Sequence, residues 1–361
     1  MLKKLSLAAL VAMGSMSVAS ATDLSEAIKG VDLKGALRIR LYNETPDKGD
    51  SYRKWRTNAA FIFAVPVTED LKLVDRISNE TKVNGQDGTG ATTVNAVVKD
   101  NVLFAKYSKN GLTVLAGKIP VATPVTDNDL FGPPTHGAGA LATYKLNDNI
   151  TLAAAGLDAL VAEDYIGTTV NNTYAAAAIV NSELVDFQVW AFEMDKTINY
   201  DYVVTADIKA LKGMGVSLHV DYAYADLDGK EYKQSFKNIN VTYKKDAVCA
   251  KVGFAANGKN GAFVAIDGDA PISSVLPTPQ ITHLNKDTAD KAVYAKVGYN
   301  VNPNTNVYAT YMQADDAGKE GAIGAKYAYT KKFSLAAYYS VTSKDDSTGK
   351  KETRFEALYK F

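Results

Sequence analysis

The stretch FSLAAYYSV, residues 333–341, is apolar or aromatic at every second position. Successive side chains of a β-strand point to opposite faces, so this pattern predicts a strand with one apolar face. Similar runs recur along the chain, at residues 33–42, 54–65, 248–254, 293–299, 323–329 and 355–361. The runs have seven to twelve residues, close to the length of a tilted strand that crosses a bilayer.

The segments between these runs alternate between short and long. The short ones, rich in Asn, Gly, Asp and Pro, lie at 68–70, 109–111, 147–149, 181–183, 213–215, 244–246, 302–304 and 330–332. The long ones lie at 43–51, 84–92, 120–137, 159–172, 194–201, 226–234, 257–290, 314–319 and 343–351. Such residues suit tight turns, and the alternation is typical of outer-membrane barrels with short periplasmic turns and long external loops.

The alternation predicts an all-β fold, a transmembrane antiparallel up-and-down β-barrel of about eighteen strands, with residues 22–361 as its single domain. Sixteen strands is the alternative, because the runs around 174–192 and 257–290 are hard to divide. A barrel this wide leaves a water-filled lumen. We expect polar residues such as Arg38, Arg40 and Arg56 to face that lumen.

Composition excludes several other classes of protein. The 361 residues carry 40 basic and 40 acidic side chains, a balance that argues against nucleic-acid binding. The single cysteine, Cys249, excludes an intramolecular disulfide framework. A soluble β-sandwich would also show alternation with period two. The 21 tyrosines, many near predicted strand ends, suit an aromatic girdle, although tyrosine is also simply a common strand residue.

Both ends of the chain suggest export to an outer membrane. Lys3 and Lys4 precede an apolar run at 5–18 and an A-x-A site formed by Ala19 and Ala21, which predicts a signal peptide over residues 1–21. A capping pattern then predicts a short helix over 22–30. The last run carries Phe355, Tyr359 and Phe361, a terminal aromatic strand of the kind that barrel-assembly machinery recognises.

The segment 120–137 is the candidate constriction of the pore. It contains four of the chain's ten prolines, and proline and glycine suit an irregular path inside a lumen. Our hypothesis is that Asp127 and Asp129 face Arg38, Arg40 and Arg56 across the narrowest section. The alternative is that these aspartates only cap turns of their own loop.

Three segments resemble the Campylobacter-type, epsilonproteobacterial major outer membrane porins. They are TDLSEAIKGVDLKGALRIR (22–40), VLAGKIPVATPVTDNDLFG (114–132) and FEALYKF (355–361). The resemblance implies an eighteen-stranded homotrimeric porin whose third external loop folds inward, and it implies calcium as a candidate ligand in the lumen. The external loops differ, so adhesive or antigenic roles of relatives do not carry over.

The sequence therefore predicts a general diffusion porin, not an enzyme, in the outer membrane of a Gram-negative bacterium, surrounded by its lipids and lipopolysaccharide. It would pass ions and small hydrophilic solutes and would require no cofactor. The alternatives are a substrate-selective channel and a barrel that serves mainly as a structural or adhesive surface protein. No catalytic residues or metal-ligand spacings are apparent in the sequence.

Overall fold

The computed structural model describes residues 30–86, 93–132, 134–162, 167–209, 211–262, 266–343 and 349–361. The predicted signal peptide, with Ala19 and Ala21, lies outside the described residues. Residues 22–29 of the predicted short helix also lie outside the described residues. Its last residue, Gly30, is part of a turn. Among the described residues, no helix has the length and apolarity needed to cross a membrane.

Nineteen strands and one short 3-10 helix, Lys212–Met214, make up the regular structure of the described residues. The strands are β1 Asp32–Pro46, β2 Tyr52–Pro66, β3 Leu71–Gln86, β4 Thr93–Lys109, β5 Leu112–Pro120, β6 His136–Lys145, β7 Ile150–Val161, β8 Thr168–Thr169, β9 Thr173–Asn181, β10 Val185–Met194, β11 Ile198–Ile208, β12 Val216–Leu227, β13 Gln234–Lys245, β14 Val248–Asn257, β15 Lys291–Asn302, β16 Thr305–Ala314, β17 Lys319–Ala328, β18 Phe333–Ser343 and β19 Lys350–Lys360.

The strands form one closed antiparallel barrel. Each long strand pairs with the next along the chain, and β1 pairs with β19 from Ala36–Lys360 to Pro46–Lys350. The two-residue β8 pairs only with the end of β7, which itself pairs with β9. Eighteen strands of the described chain thus form the wall, which confirms the prediction of eighteen.

Side-chain exposure shows which face of each strand points outward. On β1, Leu37 is 43% and Ile39 50% exposed, whereas Ala36 between the same neighbouring strands is fully buried. The same holds at Ile323, which is 63% exposed on β17. Large apolar side chains therefore cover the outside of the barrel, where a soluble protein would be polar. The apolar face that is predicted for the run at 33–42 is thus the outer face of the barrel.

The connections follow the predicted alternation at most positions. The predicted long loop at 314–319 has only the four residues 315–318, no more than the short turns 67–70 and 146–149, and the predicted short turn at 213–215 is the longer connection 209–215. The strands β10 and β11 are joined by residues 195–197 alone, so the predicted long loop at 194–201 is wrong. Lys196 adopts a positive φ of 58° there, and the N–H of Thr197 bonds to the carbonyl of Met194 at 3.0 Å. The connection is a tight turn because the left-handed backbone of Lys196 and the Met194–Thr197 hydrogen bond reverse the chain within three residues.

The inner face of the wall is only partly polar. One sector carries buried apolar side chains, among them Leu157, Leu160, Trp190, Phe192, Val203, Phe236, Tyr294 and Met312. Buried residues from two long connections pack in the same cluster, including Val121, Val125, Ile266, Ile272 and Leu284. The expected polar inner face therefore holds at Arg38, Arg40 and Arg56 but not in this sector, which folded loops occupy. Tyr42 also faces inward and is buried, so it is not part of an outer girdle.

Candidate functional site

The constriction loop, residues 121–135 between β5 and β6, lies inside the barrel. Its first turn is held by Thr126, whose hydroxyl donates to the carbonyl of Val121 at 2.5 Å and accepts the N–H of Thr123 at 2.8 Å. Both threonines and Val125 are buried. Just below it on β5, Gly117 has a φ of +124°, and a Cβ there would lie 2.8 Å from the carbonyl of Leu103. Glycine thus allows the strands to approach closely where the loop begins.

A second inward connection, which we call the long loop, comprises residues 258–290 between β14 and β15. Its backbone bonds directly to the constriction loop. The N–H groups of Ile266 and Asp267 donate to the carbonyl of Val125 at 2.9 and 3.1 Å, and that of Ile272 donates to Pro124 at 3.0 Å. The hydroxyl of Thr135 also donates to the buried Asp267 carboxylate at 2.9 Å. The two loops therefore form one unit.

Arg76, an inward-facing residue of β3, anchors the tip of the constriction loop. Its guanidinium donates to the carbonyl of Asp129, to that of Gly132 at 3.2 Å and to the side chain of Asn128 at 3.4 Å. The pairing of β3 with β4 has a register shift between Arg76 and Ile77. Such bulges often redirect a side chain. Arg76 is not among the predicted constriction residues, although period-two alternation along β3 is a signal that places it inside.

The predicted arginines lie on the inner wall at different heights. Arg38 approaches Asp129 at 4.0 Å and lies over the Phe131 ring at 4.0 Å. Arg40 and Arg56 are directly paired across β1 and β2, and they line a separate cavity that contains neither aspartate. The structure thus brings Asp129 to Arg38 alone among the three.

Asp127 points away from these arginines. Its carboxylate accepts the N–H of Asp129 at 2.9 Å, which is the turn-capping role considered as the alternative. The same side chain lines a lumen cavity. Burial raises the pKa of the Asp127 carboxyl to about 6, against the lowering effect of the Asp129 N–H, and the nearby carboxylates of Asp267 and Asp269 raise the pKa further.

The cavity beside Asp127 is acidic. It has a volume of about 620 Å³ and lies between both loops and strands β10–β12. Its charged lining residues are Asp127, Asp129, Asp207, His219, Asp221 and Asp269. The ring of His219 bridges two of the carboxylates, with Nδ1 2.8 Å from Asp207 and Nε2 2.8 Å from Asp221. Three further aspartates, Asp127, Asp129 and Asp269, also line the cavity.

The second cavity, of 540 Å³, is basic. It lies against β1, β2, β18 and β19 and is bordered by residues 279–281 of the long loop. Its charged lining residues are Arg40, Glu44, Lys54, Arg56, Lys350, Glu352 and Arg354. In the ring of strands, β1 and β10–β12 lie about half a turn apart. The interior therefore places basic and acidic surfaces on opposite walls.

Calcium in the lumen stays a prediction from the family resemblance. No three His, Cys, Asp or Glu side chains among the described residues are arranged to hold a metal ion. In the acidic cavity, the carboxylates of Asp207 and Asp221 are directed to His219 rather than to a common centre. The Asp127 carboxylate is directed to its own turn.

The predicted assembly residues form an outward row at the end of the barrel. Phe355 is 50% and Tyr359 40% exposed on β19. The Phe361 ring lies 5.9 Å from that of Phe61 and 6.0 Å from that of Tyr359. The backbone of Phe361 exchanges hydrogen bonds with Gly35 at 3.0 and 3.2 Å, so the last residue continues the β1–β19 closure.

A family model described as the Campylobacter major outer membrane protein matches residues 1–361. No curated protein matches the chain.

Solved outer-membrane channels share the fold. Acinetobacter baumannii OccAB4 is 13% identical, with 96% of this chain and 100% of that chain covered and a TM-score of 0.69. Pseudomonas aeruginosa OpdL is 16% identical, with 92% and 99% covered and a TM-score of 0.71. Pseudomonas aeruginosa OpdK, solved with vanillate, is 13% identical, with 91% and 98% covered and a TM-score of 0.70. At these identities the likeness is one of fold.

Replacing Arg76 should loosen the constriction. An Arg76→Leu substitution removes a buried cation that holds three acceptors of the loop tip, and hydrogen bonds to charged groups are each worth about 1.5–3 kcal/mol. We expect a larger mean single-channel conductance and a noisier open current in planar bilayers. The control is Arg53→Leu on the neighbouring strand, whose Nε donates only to Asn43 at 3.0 Å. Equal currents in both variants would show that Arg76 does not hold the loop.

Ion selectivity should change with pH through Asp127. Its carboxyl has a raised pKa of about 6, so it is charged above that pH and becomes neutral as the pH falls through it. Cation preference, measured as the reversal potential in a KCl gradient, should therefore decrease between pH 7.5 and pH 5, within about one unit of pH 6. Asp127→Asn should remove this step. Persistence of the full step in that variant would assign it to another group.

Proposed function

Because the chain belongs to the Campylobacter major outer membrane protein family, and is an outer-membrane porin, we propose that it works by general diffusion through a charged constriction. The transported species are ions and small hydrophilic solutes. The constriction is the unit formed by the constriction loop and the long loop. The proposed activity is passive passage, without a chemical step.

The observation that carries this proposal is the separation of charge across the lumen. Aspartates line the cavity at β10–β12, and arginines and lysines line the cavity at β1, β2, β18 and β19. Opposite charges that are held apart by a rigid loop unit produce a field across the passage. Such a field orients polar solutes and disfavours apolar ones, which is a form of selection that needs no tight binding.

A substrate-selective channel is the second candidate. The basic cavity favours it, since it concentrates several cations in one space of the lumen. A solved relative in fold, OpdK, contains vanillate, but that observation concerns OpdK. A mainly structural or adhesive barrel is a third candidate, and the charged lumen gives it no support.

The proposed partners follow from the barrel's surroundings. The apolar outer face suits outer-membrane lipids and lipopolysaccharide, and the aromatic row on β19 suits recognition by barrel-assembly machinery during insertion. We include a homotrimer in the proposal, on the strength of the family resemblance. The proposal requires no cofactor, and it keeps calcium as a candidate ligand in the lumen on the strength of the family resemblance.

Conductance measurements test this function. The mature protein, refolded and inserted into planar bilayers, should show stepwise openings that come in threes. Asp127→Asn together with Asp129→Asn should shift the reversal potential in a KCl gradient toward that of an anion-selective pore, because two negative charges leave the lumen. The control pair, Asp148→Asn with Asp246→Asn, makes the same change of net charge in two short turns outside the lumen.

Unchanged selectivity in the lumen pair would remove these aspartates from the constriction. An absence of channel steps in the unsubstituted protein would contradict the porin itself and would favour the structural candidate.

A further inference from the structure

The basic cavity contains more positive charge than its own carboxylates can balance. Five basic and two acidic side chains line it, leaving three unbalanced positive charges. Both acids are already engaged with lysines. Glu44 accepts from Lys54 at 2.8 Å and from Lys350 at 3.4 Å, and Glu352 accepts from Lys350 at 3.4 Å. The unbalanced positive charge is therefore that of the three arginines, Arg40, Arg56 and Arg354.

All three arginines of the basic cavity lie around one aromatic ring. The guanidinium carbons of Arg40, Arg56 and Arg354 lie 5.6, 5.6 and 5.9 Å from the centre of the Tyr42 ring. Arg354 has a distant carboxylate partner, Glu356, at 4.0 Å. Like charges gathered in a partly desolvated space repel one another, and a bound anion would relieve that repulsion.

The other two arginines have unused hydrogen-bonding capacity. Neither Arg40 nor Arg56 forms an ion pair with a carboxylate in the described part of the chain, and the Nε of each is buried without a hydrogen-bond partner there. Arg40 donates only to the side chain of Asn58, at 3.2 Å. Guanidinium groups on adjacent strands are well suited to carboxylates, which they bind in a bidentate manner.

The remaining wall of the cavity is fixed and partly apolar. Pro279, Gln280 and Ile281 of the long loop border it. Glu320 on β17 holds this segment by accepting the N–H of Gln280 at 3.1 Å and that of Ile281 at 2.7 Å. A volume of 540 Å³ is within the usual range of pockets for small organic ligands, roughly 300–1,000 Å³, and is far larger than a halide needs.

We propose that the basic cavity is a binding site for a small organic dicarboxylate or tricarboxylate, held by Arg40 and Arg56 with Arg354 beside them. Two guanidiniums without a carboxylate partner in the described chain, and three unbalanced charges, favour more than one carboxylate on the ligand. This inference deepens the proposed porin function, because it assigns one substrate class to a place on the passage.

Succinate is the probe, and its neutral isostere succinamide is the ligand control. Binding is measured by isothermal titration calorimetry on the folded full-length mature protein in detergent. Interruptions of the open current in planar bilayers give a second readout. We expect succinate to bind and to interrupt the current in proportion to its concentration, and succinamide to do neither. Phosphate should bind more weakly than succinate, because it presents its charge at one centre and not at two separate carboxylates.

Arg40→Gln with Arg56→Gln should weaken succinate binding about tenfold or more, as expected for the loss of charged hydrogen bonds. Arg56→Lys keeps the charge but not the planar fork, so it should show an intermediate loss. The control is Lys251→Gln with Lys296→Gln, which removes two paired cations on β14 and β15 that do not line the cavity. Heat-modifiable electrophoretic mobility confirms that each variant forms the barrel.

The proposal is overturned if succinamide or phosphate binds as tightly as succinate, or if the Arg40 and Arg56 double variant and the lysine control give equal affinities. The porin function fails differently. In that case no channel steps appear, while calorimetry still reports whether succinate binds.

Discussion

The structure depends on one constraint, which is that the hydrocarbon of a membrane offers no hydrogen bonds to a polypeptide backbone. Every N–H and carbonyl of a spanning segment must therefore be paired within the protein, and a sheet can do this only by closing on itself. The β1–β19 pairing provides that closure, and the backbone bonds of Phe361 to Gly35 extend it to the last residue. Once the sheet is closed, period-two alternation puts one set of side chains in lipid and the other in the lumen.

A closed ring of eighteen strands is too wide for its own side chains to fill. Two connections occupy the space instead, and they stay inside because they bury apolar residues against an apolar sector of the wall. Backbone bonds from Ile266 and Ile272 to Val125 and Pro124 make them one body. That body keeps the acidic surface on one wall and the basic surface on the other, so the packing of the loops determines the electrostatics of the passage.

Much of this could be predicted from the sequence, because strand alternation is a local property. The strand count, most of the turns and the inward direction of Arg38, Arg40 and Arg56 follow from it. The constriction loop could be located by its prolines, but the orientation of Asp127 could not, since it depends on a hydrogen bond within the folded turn. The role of the long loop was missed because its inward position depends on contacts with residues more than a hundred positions away, as Thr135 with Asp267 illustrates.

The most direct test of the inside-out arrangement uses the chain's single cysteine. Cys249 on β14 shares the inner face with Lys251, whereas Val252 is 58% exposed on the outer face. In lipid vesicles, a membrane-impermeant, water-soluble thiol reagent added to both sides should modify Cys249. It should leave Val252→Cys, made with Cys249→Ser, unmodified. Modification of the Val252→Cys thiol at the same rate as Cys249, or of it alone, would contradict the account.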